Sequence, residues 1–199
     1  MTAARGRIGC IVLAAGSGTR FGSDKRLAPF GNSTLLAHTL GTIASAFTQR
    51  ILVLRAGDEA IGTCFADDWH VIYAADASNG MGRSLAAAIG ASSDWDGAVI
   101  GLGDMPYVRT STYVTVRDHV TRASLVVPHY DGRRGNPVGI GATFFPELLQ
   151  LQGDQGARAL MQQHAAAVTR LDLDDRGILQ DVDTPAALAG GSDRSEAGC

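Results

Sequence analysis

The sequence predicts an α/β protein, a three-layer α/β/α sandwich built around a mostly parallel sheet. Two observations carry this. Short runs rich in Val, Ile and Leu alternate with stretches in which apolar residues recur at helical spacing. The residues of unusual character follow the predicted strands, where open sheets of this kind hold their ligands.

The predicted strands are residues 8–13, 50–54, 70–73, 98–102, 125–127 and 168–171. Between them, residues 34–47 carry Leu35, Leu36, Leu40, Ile43, Ala44 and Phe47 at helical spacing. Residues 84–91 carry Leu85, Ala88 and Ile89, and residues 111–121 and 157–167 read the same way. No internal repeat is present. Residues 1–189 are expected to form a single domain. Residues 190–199 (GGSDRSEAGC) lack an apolar pattern and are expected to form a disordered tail.

A chain of 199 residues is long enough for one sizeable core. Its formal net charge of -3, with no long basic run, argues against bulk nucleic-acid binding. A small anionic substrate would need a local cluster of Arg and Lys. No apolar stretch approaches the roughly 20 residues that cross a bilayer, so no membrane partner is expected. The apolar run 10–15 is too short for the core of a signal peptide and reads as the first strand. Cys10, Cys64 and Cys199 form no CxxC and no even framework, which favours a reducing, cytoplasmic setting. Cys10 reads as a packed thiol.

The first predicted strand runs into Leu13-Ala14-Ala15-Gly16-Ser17-Gly18-Thr19-Arg20-Phe21-Gly22-Ser23-Asp24-Lys25. Its glycines let backbone N–H groups approach phosphate oxygens, and Arg20 and Lys25 add fixed positive charge. The segment is not a P-loop, which needs Gly-Lys followed by Ser or Thr. Its G-x-G-x-x-x-G spacing is not the dinucleotide fingerprint, which counts against an NAD-linked oxidoreductase. On spacing alone it reads either as a phosphate loop or as a plain glycine-rich turn with two solvated cations.

Asp104 stands in Gly101-Leu102-Gly103-Asp104-Met105-Pro106, directly after an apolar strand. A carboxylate there can bind Mg²⁺, which takes one or two carboxylates plus phosphate oxygens, or it can cap the turn before Pro106. A second candidate is Gln180-Asp181-Val182-Asp183-Thr184-Pro185. Asp183 or Thr184 could simply cap a helix with Pro185 in its first turn. Asp181 has no such role and ranks ahead of Asp183 as a metal ligand. Residues 79–85 (NGMGRSL) read as a loop entering a helix. Residues 131–138 (DGRRGNPV) set two arginines beside glycines, able to grip a phosphate or to lie solvated in a β-turn. Residues 153–158 (GDQGAR) read as a helix entry with Asp154 in the cap position. The five histidines show no HExxH, so no zinc site is expected, and the absence of GxSxG leaves an α/β-hydrolase triad unsupported.

LAAGxGxRFGxxK, GMGxSL, GDMP, GxRGxPV, GDxGAR and DxDTP together resemble the MobA-like NTP transferases, within the Rossmann-like nucleotide-diphospho-sugar transferase fold. The resemblance runs from about residue 9 to 189, and the branch it is most similar to is molybdenum cofactor cytidylyltransferase. It implies that Leu13, Ala14, Ala15, Gly16 and Gly18 wrap the nucleotide, with Gly82 and Ser84 near base or ribose. It implies that Arg20 and Lys25 hold the phosphates and, with Asp104, carry catalysis. Arg133, Arg134, Asp154 and Arg158 would serve the acceptor. Asp104, with Asp181 and Asp183, would bind Mg²⁺. The implied reaction moves CMP from CTP to a molybdopterin-type cofactor and releases pyrophosphate. The implied partner is a xanthine-dehydrogenase-type molybdoenzyme, met transiently. The LAAG start favours CTP, since the guanylyltransferase branch more often reads LAGG. The alternatives are a guanylyltransferase for the same cofactor, a sugar- or alditol-phosphate nucleotidyltransferase, and a non-catalytic binder that delivers nucleotide or cofactor.

Overall fold

A strand that is apolar on both faces is stable only inside a sheet covered on both sides. Strands β1 (Ile8–Leu13) and β4 (Arg50–Arg55) meet that condition, with Cys10, Ile11, Val12, Leu52 and Val53 fully buried. The computed structural model describes residues 6–16, 21, 24–75, 80–151 and 157–184. In chain order β1 is followed by the hairpin strands β2 (Pro29–Phe30) and β3 (Ser33–Thr34), then α1 (Leu35–Ala44) and β4. Next come α2 (Glu59–Thr63), β5 (His70–Ala74), α3 (Met81–Gly90), β6 (Gly97–Leu102) and α4 (Thr110–His119). The last elements are β7 (Leu125–Tyr130), β8 (Arg133–Arg134), β9 (Val138–Gly141), α5 (Phe145–Leu148), α6 (Ala157–Gln163) and β10 (Val168–Asp172).

The main sheet has the order β10-β7-β9-β6-β1-β4-β5, with β8 paired to β7. The pairs β1–β4, β1–β6, β4–β5 and β7–β10 are parallel, while β9 runs antiparallel to both β6 and β7. The chain first builds outward from β1 through β4 to β5, then crosses to the other side of β1 to lay down β6. That reversal opens a crevice at the carboxyl ends of β1 and β6, the usual ligand position in such sheets. One core packs Ile11, Ile51, Val53, Leu85, Ile89 and Phe145 on the face of α3, α5 and α6. The other packs Val12, Leu36, Leu40, Leu52, Tyr113 and Val116 on the face of α1 and α4. The side chains alternate between the two cores along each strand, as a strand's period of two requires.

All six predicted strands and the four predicted helices are present. The structure adds β2, β3, β8, β9, α2 and α5. The strand β9 has two glycines in four residues, a composition with little strand propensity. Helix α3 begins at Met81 instead of 84, and the expected helix 157–167 is α6 followed by a 3-10 turn at Ala165–Ala167. The tail 190–199 lies outside the described residues, among which no helix is long and apolar enough to cross a membrane.

A buried charge ties the crevice to the sheet. Arg26 is 3% exposed and sits in a 3-10 turn, Lys25–Leu27, capped by the Asp24 side chain. Its guanidinium donates to Asp24 (2.8 and 2.5 Å), to both oxygens of Asp58 (2.9 Å for one) and to the carbonyl of Ala14 (2.9 Å). Arg55 adds a second cation on Asp58 at 3.1 Å. The hydrogen bonds of Arg26 hold the Asp24 carboxyl below its ordinary pKa. Burial works to raise Asp58, and the hydrogen bonds and charges of Arg26 and then Arg55 outweigh it, so that group too is lowered. Removing one member of a buried ion pair costs about 3–5 kcal/mol, because the other charge is stranded. Arg26→Met is therefore expected to lose about 3–5 kcal/mol in urea unfolding. Carboxyls with lowered folded pKa contribute stability that is complete above their unfolded value and disappears as pH falls through the folded one. The wild type is expected to lose stability steeply below about pH 4, and Arg26→Met to lose much less over the same window.

Candidate functional site

At the crevice the ends of β1 and β6 are locked together. The amide of Gly103 donates to Leu13 at 3.0 Å, and the amide of Ala14 donates to Val53 at 2.9 Å. Leu13, Ala14 and Ala15 are buried and Gly16 is exposed, so the strand delivers its last backbone groups to the crevice floor. Asp104 follows two residues after the end of β6.

Three segments far apart in sequence converge here on one ammonium. Lys25 Nζ lies 2.7 Å from Asp104 Oδ2 and 2.8 Å from Asp183 Oδ1. Lys25 is 9% exposed. Burial opposes its charge, but the hydrogen bonds it donates to Asp104 and Asp183, with their charges, outweigh this and raise its pKa. Both carboxylate oxygens thus reach a single cation position. They are hard donors, and among the described residues no group of three or more His, Cys, Asp or Glu side chains gathers to hold a metal. Two carboxylate oxygens are a donor set that a hard divalent ion such as Mg²⁺ or Mn²⁺ takes, its other ligands being water and substrate oxygens, and they lack the Cys and His donors that zinc favours.

The register of the segment after β10 selects Asp183. Val182 is fully buried, and its amide donates to the Asp104 carbonyl at 2.9 Å. The residue after Val182 reaches Lys25; the residue before it, Asp181, is exposed. The sequence ranks the two in the opposite order, because the helix cap considered for Asp183 is a local role, whereas the contact it makes is long-range. Upstream, Asp175 anchors the same segment. It is 3% exposed, accepts from the Arg109 amide (3.0 Å) and Thr112 Oγ1 (2.5 Å) at the start of α4, and caps the 3-10 turn Arg176–Leu179.

The arginines stand on a hairpin. Asp131 and Gly132 both have positive φ (50° and 71°) and join β7 to β8 as a two-residue turn. The turn presents Arg133 and Arg134 at the carboxyl end of β7, the same side of the sheet as Asp104. Burial and then the charge of Arg158, in α6, push the pKa of Arg134 down. A guanidinium group is a natural partner for phosphate. In α3, Gly82 and Ser84 are buried in the first turn. Gly18, Arg20 and Asp154 lie outside the described residues.

The sequence reading missed Arg26, Asp24 and Asp58. The available signal was a charged triplet, Asp24-Lys25-Arg26, at the end of a glycine-rich loop. Nothing local told its two cations apart, one turned to the crevice and the other to the interior.

The profile of the MobA-like NTP transferase domain matches residues 10–168. Purine catabolism protein PucB of Bacillus subtilis (strain 168) is 30% identical over 189 residues, spanning 88% of this chain and 91% of that protein. Nicotine blue oxidoreductase of Paenarthrobacter nicotinovorans is 27% identical over 194 residues, spanning 87% and 91%. Rv0371c from Mycobacterium tuberculosis H37Rv superposes with TM-score 0.83 at 31% identity over 94% of this chain and 98% of its own. Its complex with manganese superposes with TM-score 0.79 at 31% identity over 92% and 97%.

The turn that carries the Asp183 segment is wedged tightly. A Cβ on Gly177 would lie 2.1 Å from the Tyr107 carbonyl oxygen, and one on Gly135 would lie 2.4 Å from that of Ile178. Backbone cannot move aside as a side chain can. Gly177→Ala and Gly135→Ala are each expected to lose about 1–3 kcal/mol in urea unfolding. Gly41, in α1, has open space where a Cβ would go. Gly41→Ala is expected to gain about 0.5–1 kcal/mol in the same measurement.

Proposed function

The chain belongs to the MobA-like NTP transferase family, and from that membership and its crevice we propose that it transfers CMP from CTP to a molybdopterin-type cofactor, releasing pyrophosphate. The observation that carries the transferase reading is the convergence of Asp104 and Asp183 on one cation position beside the loop that leaves β1. The choice of CTP and of the cofactor rests on resemblance: LAAG in the loop, and the GxRGxPV and GDxGAR boxes on the acceptor side.

The acceptor in this reading is a phosphate monoester, already anionic at neutral pH, so no general base is needed. Its oxygen attacks the α-phosphorus, the bond from α-phosphorus to the bridging oxygen breaks, and pyrophosphate leaves with the electron pair. The protein's task is positioning and charge neutralisation. Asp104 and Asp183 would hold a divalent metal, which supplies positive charge to the α-phosphate and the leaving group. Lys25, with Arg20, neutralises the departing pyrophosphate. The backbone of Leu13–Gly16 and the start of α3, Gly82 to Ser84, hold base and ribose. Arg134 and Arg158, with Arg133, hold the acceptor phosphate at the far side of the crevice. Asp154 stands in the same acceptor loop by resemblance.

The test is pyrophosphate release with the metal-loaded cofactor, run with CTP and GTP in Mg²⁺ and in Mn²⁺. Release with CTP is expected, reduced at least about a hundredfold in Asp104→Ala. Asp183→Asn is expected to fall by a similar factor and Asp181→Asn to stay within about threefold of wild type. Preference for GTP would keep the mechanism and overturn the base. Redox turnover of nicotine blue without pyrophosphate release would place the chain with the chemistry named for its Paenarthrobacter relative instead. Nucleotide binding with no turnover on any acceptor would favour the delivery protein.

A further inference from the structure

The Lys25 ammonium, bonded to Asp104 at 2.7 Å and Asp183 at 2.8 Å, stands where a metal ion shared by these carboxylates would stand. Two cations do not fit between the same pair of oxygens. We infer that Lys25 is a placeholder cation: it keeps the carboxylate pair closed to free divalent metal, and it yields that position when a nucleoside triphosphate brings the metal and offers the ammonium other anions. The inference rests on the transferase reading and deepens it, from which residues hold the metal to the order in which metal and nucleotide arrive.

Charge counting gives the reason. One ammonium already occupies one oxygen of each carboxylate. A bare divalent ion entering must expel Lys25, whose ammonium then loses both partners and faces a doubly charged cation at short range. The Lys25 side chain is 11% exposed and that of Asp104 25%, so water screens that repulsion only in part, with the 47% exposed Asp183 on the open side. A metal that arrives on a triphosphate reverses the balance. The phosphates carry enough negative charge to take the ammonium, and the flexible four-carbon stem lets it move from carboxylate to phosphate without moving the backbone. The carboxylates stay in place meanwhile. Asp104 is held through the Val182 amide, which donates to its carbonyl at 2.9 Å, and buried Val182 holds Asp183 next to it. Metal and nucleotide therefore bind synergistically, and by linkage each raises the affinity of the other by the same factor. The device keeps the site from filling with unproductive metal between turnovers.

The experiment titrates Mn²⁺ into nucleotide-free protein and follows free Mn²⁺ by electron paramagnetic resonance. Lys25→Met and Lys25→Gln remove the charge, and either one, if folded by circular dichroism, serves. The uncharged variant is expected to bind Mn²⁺ at least about tenfold more tightly than wild type. Lys25→Arg, which keeps the charge, is expected to stay at the wild-type affinity. Adding Asp183→Asn to the uncharged variant is expected to abolish the gain. A non-hydrolysable CTP analogue is expected to tighten Mn²⁺ binding to wild type by at least about tenfold and to narrow the gap to the variant. Equal Mn²⁺ affinity in wild type and the uncharged variants, with Asp183→Asn weakening both, would overturn the placeholder while leaving the carboxylate metal site standing. Mn²⁺ binding that ignores Asp104→Ala and Asp183→Asn, with or without the analogue, would instead overturn the metal assignment beneath it.

Discussion

A guanidinium inside a protein must be met by carboxylates, and most of the crevice follows from how this chain meets that demand for Arg26. The group is nearly inaccessible to water and is held by Asp24 from its own turn, Asp58 from the loop after β4, and the Ala14 carbonyl from the end of β1. These contacts fix the turn that begins at Lys25 against two strand ends at once. Lys25 is the neighbour of Arg26 in sequence, so its side chain leaves a backbone that has no freedom to drift. A less costly solution exists, since apolar residues of similar volume often replace buried ion pairs without loss of stability. What the charges add is direction. The planar fork of Arg26 can satisfy its five donors in only one orientation, and that orientation aims Lys25 at Asp104.

The sequence reading succeeded where the physics is local or periodic. The alternation of buried strands with amphipathic helices is visible in residues 8–13, 50–54 and 34–47 because a parallel sheet demands it. The place of Asp104 was legible because it follows an apolar strand, and the structure sets it two residues past β6 and beside Lys25. Contacts whose deciding partner is distant were not legible. Asp181 and Asp183 are two residues apart in an extended segment, and only the burial of Val182 against the core and its amide bond to Asp104 decide which one reaches Lys25. Arg26 was overlooked for the same reason, since Asp58 lies far along the chain. The strand β9 hid behind its glycines. Those glycines are required by packing: a Cβ on Gly139 would lie 2.4 Å from Val120.

The two halves of the site are joined through one short turn. The 3-10 turn Arg176–Leu179 is capped by Asp175, which also holds the start of α4. Its Ile178 carbonyl accepts from the Asn136 amide at 3.0 Å, next to the arginine hairpin. Three residues past the turn the chain reaches Val182 and Asp183. The segment with the second carboxylate and the hairpin with Arg133 and Arg134 are therefore braced by the same few atoms. A displacement of one is transmitted to the other through backbone contacts, which do not yield as side chains do.

This bracing matters because an in-line transfer between two anions has little tolerance for misplacement. An acceptor phosphate approaching a triphosphate is repelled at every distance, so the protein must supply cations on both sides and hold them at a fixed separation. The chain places its cations accordingly. Lys25 stands at the β1–β6 crevice beside Asp104 and Asp183, and Arg133 and Arg134 stand at the carboxyl end of β7. Positive charge shared with carboxylates suits a substrate that arrives with its metal. In the proposed reaction, Lys25 with its carboxylates would serve the nucleotide and the arginines would serve the acceptor.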